Sequence, residues 1–267
     1  MRLYVNGIGI LGPGLGGWSE CRSVLAGHGA YCETAPPEPS ASILPPNERR
    51  RSSDIVRWAV HVAQEAMQQA QADAHEVASV FASSSGETNV LDRLCAALAT
   101  PERVISPTLF HHSVHNAVSG YWGIATGSQQ SSTVLSCYDS SFCAGLLEAA
   151  AYACLEGRLV LLVVYDLPFP SPLCAARPLR GGFAAAFVVG LTPTAQTFAQ
   201  IDLDLSNDLS DEATRMDDAG LEALRSGNPA ARSLPLLAAI ARQSVTLVRL
   251  EYLEDQHLLV QVTPCRS

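Results

Sequence analysis

Apolar positions along the chain switch repeatedly between a run-like spacing and a helical one, and each switch marks an element. Leu3 to Val5 and Ile8 to Leu11 read as one apolar strand broken by glycines, followed by a helix over Trp18 to Leu25. A proline-rich stretch, 34–46, reads as loop. Ile55, Trp58, Ala59, Val62, Ala63 and Ala66 then recur at helical spacing and predict a helix from about Asp54 to Ala72. Ala78 to Ala82 reads as a strand, Leu91 to Leu98 as a helix, and Asn116 to Ala125 as a helix of small residues.

The densest pattern lies at 131–165 and reads strand, turn, helix, strand. Thr133 to Leu135 is a short β-branched and aliphatic run, the signature of a buried strand. Cys137 to Ser141 is a polar turn in which Asp139 and the serines can cap a helix. Phe142 to Glu156 is rich in Ala and Leu, and Gly157 closes it. A helix so apolar around its circumference is expected to be buried. Leu159 to Tyr165 has the unbroken apolar run of a strand covered on both faces. Further strands are expected at Gly182 to Val189 and Thr192 to Asp204. Helices are expected near Ala219 to Leu224 and over Leu234 to Arg242, and a terminal hairpin over Val245 to Leu253 and His257 to Val262. The alternation of helices and buried strands predicts an α/β/α fold with a mixed central sheet.

Composition narrows the function. Of 267 residues 48% are hydrophobic and 16% charged, below the usual quarter, so much surface is expected to be hidden in a core or against a partner. The net charge of −9 argues against nucleic acid and anionic membranes as partners. There is no lysine, which removes Schiff-base chemistry and a Walker-type phosphate loop together. No apolar run reaches the length of a membrane span, and Met1-Arg2 leads directly into a strand rather than into a leader. The cysteines form no C-x-x-C pair, which fits reduced thiols in the cytoplasm.

Three motifs invite chemistry and are weaker than they look. Gly7, Gly9 and Gly12 spell G-x-G-x-x-G after a strand, but Pro13-Gly14 follows and no second parallel strand does, so a nucleotide site is not expected. Arg49, Arg50 and Arg51 could contact a phosphate or an acidic partner, but three charges at a helix start are more often a solvated face. His111, His112 and His115 have no acidic residue nearby, and neighbours on a helix point about 100° apart, so no metal is expected. At the 137–143 turn a strand-to-helix junction is where a nucleophile gains from helix N–H groups; Cys137, Cys143 and Ser140 are the candidates. An ordinary capped helix explains the same residues.

Taken together these segments resemble a known family. The glycine-broken first strand, the arginine-flanked helix, Ser83-Ser84-Ser85-Gly86, Ser106-Pro107-Thr108, FHHSVHNAVSGYWGIATG (Phe110–Gly127) and YDSSFCAGLLEAA (Tyr138–Ala150) are similar to the N-terminal half of β-ketoacyl-ACP synthases. The likeness is nearest to the short synthase-like proteins of bacterial aryl polyene and related pigment pathways, taken to act as chain length factors beside a true synthase. It covers the chain to about residue 190. It implies a single thiolase-like domain over 1–267, with an N-terminal-half-like core over 1–190 and a short, divergent, truncated C-terminal part over 191–267.

The resemblance also implies what is missing. An active synthase carries T-A-C-S-S at this turn, with cysteine acylated; here Ser140 takes that place by helix length, or Asp139 if the count moves by one. Serine has no evident base and a carboxylate makes a poor acyl intermediate. The two histidines, or histidine and asparagine, that a synthase supplies from its C-terminal half have no counterpart, His257 being the sole histidine beyond the helix. The resemblance therefore implies a non-catalytic chain length factor without cofactor or metal, paired with an active synthase and meeting acyl carrier protein through that complex. The alternative is an acyltransferase or condensing enzyme using Cys137, Cys143 or Ser140. The partner interface and acyl tunnel are expected to involve Thr133, Leu135, Tyr138, Phe110, His115 and Asn116, with Phe110 as the bulkiest candidate gate.

Overall fold

A computed structural model describes residues 1–265. The elements run β1 (Arg2–Leu11), α1 (Trp18–Leu25), α2 (Pro46–Arg51), α3 (Asp54–Ala70), β2 (Ala78–Ala82), α4 (Thr88–Leu98), α5 (Pro107–His112), α6 (Ala117–Thr126) and β3 (Ser132–Leu135). They continue α7 (Ser141–Glu156), β4 (Val160–Asp166), α8 (Leu173–Ala176), β5 (Phe183–Gly190), β6 (Ala199–Ser206), α9 (Ala219–Gly227), α10 (Leu234–Arg242), β7 (Thr246–Leu253) and β8 (Gln256–Pro264). The strands form one mixed sheet of eight in the order β3-β2-β4-β5-β1-β6-β8-β7. The α/β layered fold with a mixed sheet is as expected, and most predicted elements fall within a few residues of their observed bounds.

Side chains of the central strands divide between two cores by simple alternation. In β4, Val160, Leu162 and Val164 enter the core beneath α1, α7 and α10, while Leu161, Val163 and Tyr165 enter the one beneath α3 and α6. In β5, Phe183, Ala185, Phe187 and Val189 face the first core and Ala184, Ala186 and Val188 the second. Period-two geometry with helices on both faces leaves no polar face, which is why these strands read as unbroken apolar runs. In β1 the alternation slips: Leu3 and Val5 face the first core, and so do Ile8 and Ile10. A register shift between Val5 and Gly7 absorbs the extra residue.

That shift also explains the glycines. Gly7 and Gly9 point at α3, and a Cβ on either would lie 2.0 Å from the Ala66 carbonyl oxygen or 2.1 Å from that of Val62. The G-x-G spacing is thus a notch that lets a helix backbone seat on a strand. β6 covers β1 only over Arg2 to Val5. Beyond it, Glu65 of α3 accepts from the amides of Ile10 (3.0 Å) and Trp18 (2.6 Å), in place of a strand.

Four expectations need correction. β3 is not a buried strand: it lies at the end of the sheet, pairs only with β2, and its residues are half-buried or exposed. A short aliphatic run is compatible with a central or an edge strand, and sequence spacing does not separate them. α7 is buried along one face rather than all round; Leu155 is 84% exposed and Ala144 is half-buried, whereas Gly145 faces Ala82 and Leu162. The arginine triplet forms its own short helix, α2, separated from α3 by Ser52 and Ser53. The strand expected from Thr192 begins only at Ala199, after a turn. Beyond residue 190 the chain continues the same sheet, with β6 on β1 and the β7–β8 hairpin on β6.

At the C-terminal ends of β2 and β4 sits a buried carboxylate. Asp166 Oδ1 accepts from Ser83 Oγ (3.0 Å), Ser84 N (2.9 Å) and Ser84 Oγ (2.8 Å), while Oδ2 has no partner. Burial pushes its pKa up to about 7, against the pull of those donors. The folded state therefore holds a proton that the unfolded chain releases near pH ~4, so this group's stabilisation is complete at low pH and is lost as pH rises towards 7. Asp166→Asn, which keeps the acceptor, should gain stability relative to wild type progressively from pH 5 to 8; parallel urea midpoints across that range would refute the assignment. Gly7→Ala should destabilise by about 1–3 kcal/mol or more, because the clash is with backbone; an unchanged urea midpoint would show that α3 does not seat there.

Candidate functional site: a strand-to-helix turn closed by ion pairs

The turn between β3 and α7 is built by short-range hydrogen bonds. Ser136 Oγ donates to the Ser83 carbonyl at 2.6 Å, tying the end of β3 to the end of β2. Ser141 Oγ accepts from the Cys137 amide at 3.0 Å and donates to the Tyr138 carbonyl at 2.7 Å. Between them Tyr138 takes a φ of +52°, a left-handed conformation that costs a bulky residue about 1–3 kcal/mol. Tyr138 to Ser140 make one turn of 3₁₀ helix before α7 begins.

Every candidate nucleophile in the turn is compromised except Cys137. Ser140 Oγ donates to the Tyr252 carbonyl on β7, so its proton points away from any base. Cys143 is fully buried and its thiol faces the Glu251 carbonyl at 3.3 Å; burial pushes its pKa up to about 12, so no thiolate forms near neutrality. Cys137 is exposed at the surface. No residue here makes the nucleophile–base hydrogen bond that activation requires, among the described hydrogen bonds of the turn.

Asp139 is the centre of a chain of charges. Its Oδ1 accepts from Arg177 at 2.8 Å and its Oδ2 from Arg232 at 3.3 Å. Arg232 also pairs with Glu251 at 3.4 Å, Glu251 with Arg225 at 3.4 Å, and Arg225 with Glu222 at 2.8 Å. Three cations and three anions alternate, so the chain is neutral as a whole. The Arg177 guanidinium lies 3.4 Å above the Tyr138 ring, and burial followed by the nearby Arg232 charge lowers its pKa. Arg177 arrives on the segment after α8, Arg232 just before α10, and Glu251 on β7, so the turn is closed from three directions. The sheet makes this possible by curling: β7, last in the strand order, returns to contact α7, which packs on β2 and β4.

The remaining predicted residues border the same end of the sheet. Thr133 and Leu135 are half-buried on the edge strand, and Tyr138 is exposed just beyond it. α6 packs on β2 and β3, and His115 Nδ1 lies beside Gly86, in the loop that leaves β2. His115 and Asn116 are exposed, and Phe110 is 64% exposed on α5, so it is not core packing within this chain. His112 is separate: it is buried, stacks on Tyr121 with centroids 5.3 Å apart, and is bonded to its hydroxyl at 3.2 Å. Burial and then His111 lower its pKa. The described residues contain no cluster of three metal-ligating side chains. Sequence reading missed Arg177, Arg225, Arg232, Glu222 and Glu251 altogether, because nothing in their local sequence sets them apart from surface charges.

Asp139→Ala should leave Arg177 and Arg232 facing one another and cost about 1–2 kcal/mol after solvent screening. Combining it with Arg232→Met should recover part of the loss; additive losses in urea unfolding would show that the two groups do not couple.

Residues 19–252 match the β-ketoacyl synthase N-terminal domain family, so the family likeness extends well past residue 190. No curated protein matches the sequence. Among solved structures, the chain is similar to one from the ketosynthase ApeO in complex with its chain length factor ApeC from Xenorhabdus doucetiae, at 20% identity over 98% of this chain and 99% of that one, with a TM-score of 0.73. It is similar to the ishigamide ketosynthase/chain length factor at 14% identity over 100% of both chains, TM-score 0.72. The AntDE:AntF complex, a type II carrier protein with its ketosynthase, matches at 11% identity over 99% of both chains, TM-score 0.73. Such identities establish the fold, and their end-to-end coverage shows that the short C-terminal part is shared with those chains. The fold, its mixed curled sheet and the span of the family match lead to one assignment: this chain belongs to the β-ketoacyl synthase N-terminal domain family.

Proposed function

We propose that this protein is a non-catalytic chain length factor: it pairs with an active β-ketoacyl-ACP synthase and shapes the tunnel that receives the growing acyl chain. The observation that carries the reading is Asp139, which stands at the turn where the family's acylated cysteine is expected and is neutralised by Arg177 and Arg232. A carboxylate so held is neither a nucleophile nor free to act as a base. The Ser140 hydroxyl and the Cys143 thiol are engaged or buried beside it. The work is assigned to the cytoplasm, in keeping with free thiols at every cysteine.

The partner surface follows from the open edge. Among the described residues one side of β3 has no strand beside it, and an unpaired edge is a template for pairing with another chain. Leu91, Leu98, Val104, Phe110 and Val114, on the connection between β2 and β3, and Tyr138 just after β3 are exposed large apolar side chains, which suit a buried interface. We assign Thr133 to Ser136 to strand pairing with the synthase, and Phe110, His115 and Asn116 to the wall of its acyl tunnel. Carrier protein is met through the assembled pair. The named structures support this reading through what they contain, a ketosynthase with a chain length factor and a carrier protein with its ketosynthase.

Coexpression with the cognate synthase should give a one-to-one complex. On incubation with an acyl carrier protein thioester, intact mass spectrometry should find the acyl group on the synthase alone. Within that complex Ser140→Ala should leave product formation unchanged, and Phe110→Ala should lengthen the products. An acyl adduct on this chain, or loss of product from Ser140→Ala in an intact complex, would make it an acyl-transfer enzyme instead.

A further inference from the structure

The connection between β2 and β3 contains a segment with very little anchorage. Between Leu94 and Ala117, His112 is the one buried residue; Ala97, Ile105 and Leu109 are half-buried and the others are exposed. Among the described hydrogen bonds of residues 101–113, that between Tyr121 and His112 alone leaves the segment. Glu102 and Arg103 make no ion pair among the described residues. A stretch that buries so little opens at low cost, so its seating falls largely to one side chain.

That side chain can change its charge. His112 is 3% exposed, and its ring lies nearly parallel to that of Tyr121 on α6, 11° between planes. His111, on the same short helix, meets it edge to face with centroids 5.8 Å apart. From α2, Glu48 and Arg51 line a cleft of about 400 Å³ together with both histidines and Tyr121. Burial and then His111 disfavour the charged imidazole; the Arg51 carbonyl and Glu48 act the other way and are outweighed, so its pKa lies below the ordinary 6.5. α4 also packs on α5 and brings no charge to the ring. The Tyr121 face attracts an imidazolium, but by less than burying the charge costs. An undocked ring would titrate at its ordinary value, so protonation favours the undocked state. Seating is therefore complete above pH 6.5 and is lost as pH falls below it.

We propose that His112 is a positioning residue: its neutral imidazole pins α5 and the segment around it to α6, and protonation releases them. The segment so placed carries Val104, Phe110 and Val114, all exposed and all assigned above to the partner surface. That bearing on a partner rests on the chain length factor reading, whereas the pin rests on burial and hydrogen bonding within this chain. An apolar ring at this position would fill the same space; the imidazole adds a dependence on pH.

Hydrogen–deuterium exchange of the full-length chain tests this, read by mass spectrometry at about pH 7.5 and about pH 5 and corrected for the intrinsic pH dependence of exchange. Peptides covering 105–114 should lose protection severalfold at the lower pH, while those covering α10 keep theirs. His112→Phe keeps a ring against Tyr121 and cannot titrate, so its 105–114 peptides should be equally protected at both pH values. His111→Gln, at an exposed position, should retain most of the wild-type loss, and it decides the matter if the buried substitution fails to fold. The proposal is overturned if the wild-type segment is equally protected at both pH values, or if α10 loses protection in step with it. It is also overturned if His112→Phe shows the wild-type loss, or if His111→Gln abolishes it. Synthase binding is not read in this measurement, so the chain length factor reading can fail without moving the result, and the reverse.

Discussion

The structure depends on how closely α3 can approach the sheet. β4 and β5 are apolar on both faces, so each face must be covered or the strands would expose their side chains to water. On one side that cover is α3, and it seats on β1 only because Gly7 and Gly9 have no side chain to hold it off. The alanines of α3 at 59, 63, 66 and 70 complete the contact. Close seating also brings Glu65 and Gln69 within reach of β1 amides that no neighbouring strand serves. Packing and hydrogen bonding are therefore satisfied by one arrangement, and a dinucleotide-like glycine motif is explained without a nucleotide.

The other face is organised around α7. Because the sheet curls, α7 is held between β2 and β4 below and β7 beside it, and its first turn meets the carbonyls of Glu251 and Tyr252. In a catalytic turn those groups would have to stay clear of a nucleophile. Here they occupy the hydroxyl and the thiol that lie nearest, and the arginines neutralise the carboxylate. Charge alternation keeps the cluster neutral, so a partly buried set of six charges is tolerated where a lone Asp139 would be costly. The turn thus closed lies beside the edge strand β3.

The sequence by itself determined the elements and the family. Period-two and period-3.6 patterns are local, so β2, α1, α7, α10 and the terminal hairpin were legible within a residue or two. The runs Phe110–Gly127 and Tyr138–Ala150 carried the family likeness, and Ser140, or Asp139 if the count moves by one, was read at the place of the family's acylated cysteine. Only the tertiary structure decided which strand is central and which is an edge: Thr133 to Leu135 and Leu159 to Tyr165 are both aliphatic, and strand order is a property of long-range pairing. It alone revealed that Phe110 is exposed and that α7 is buried on one face. The partners of Asp139 lie 38 and 93 residues away in the chain, at positions with no local mark. Coulombic pairing depends on distance in space, and a curled sheet brings together what sequence spacing keeps apart.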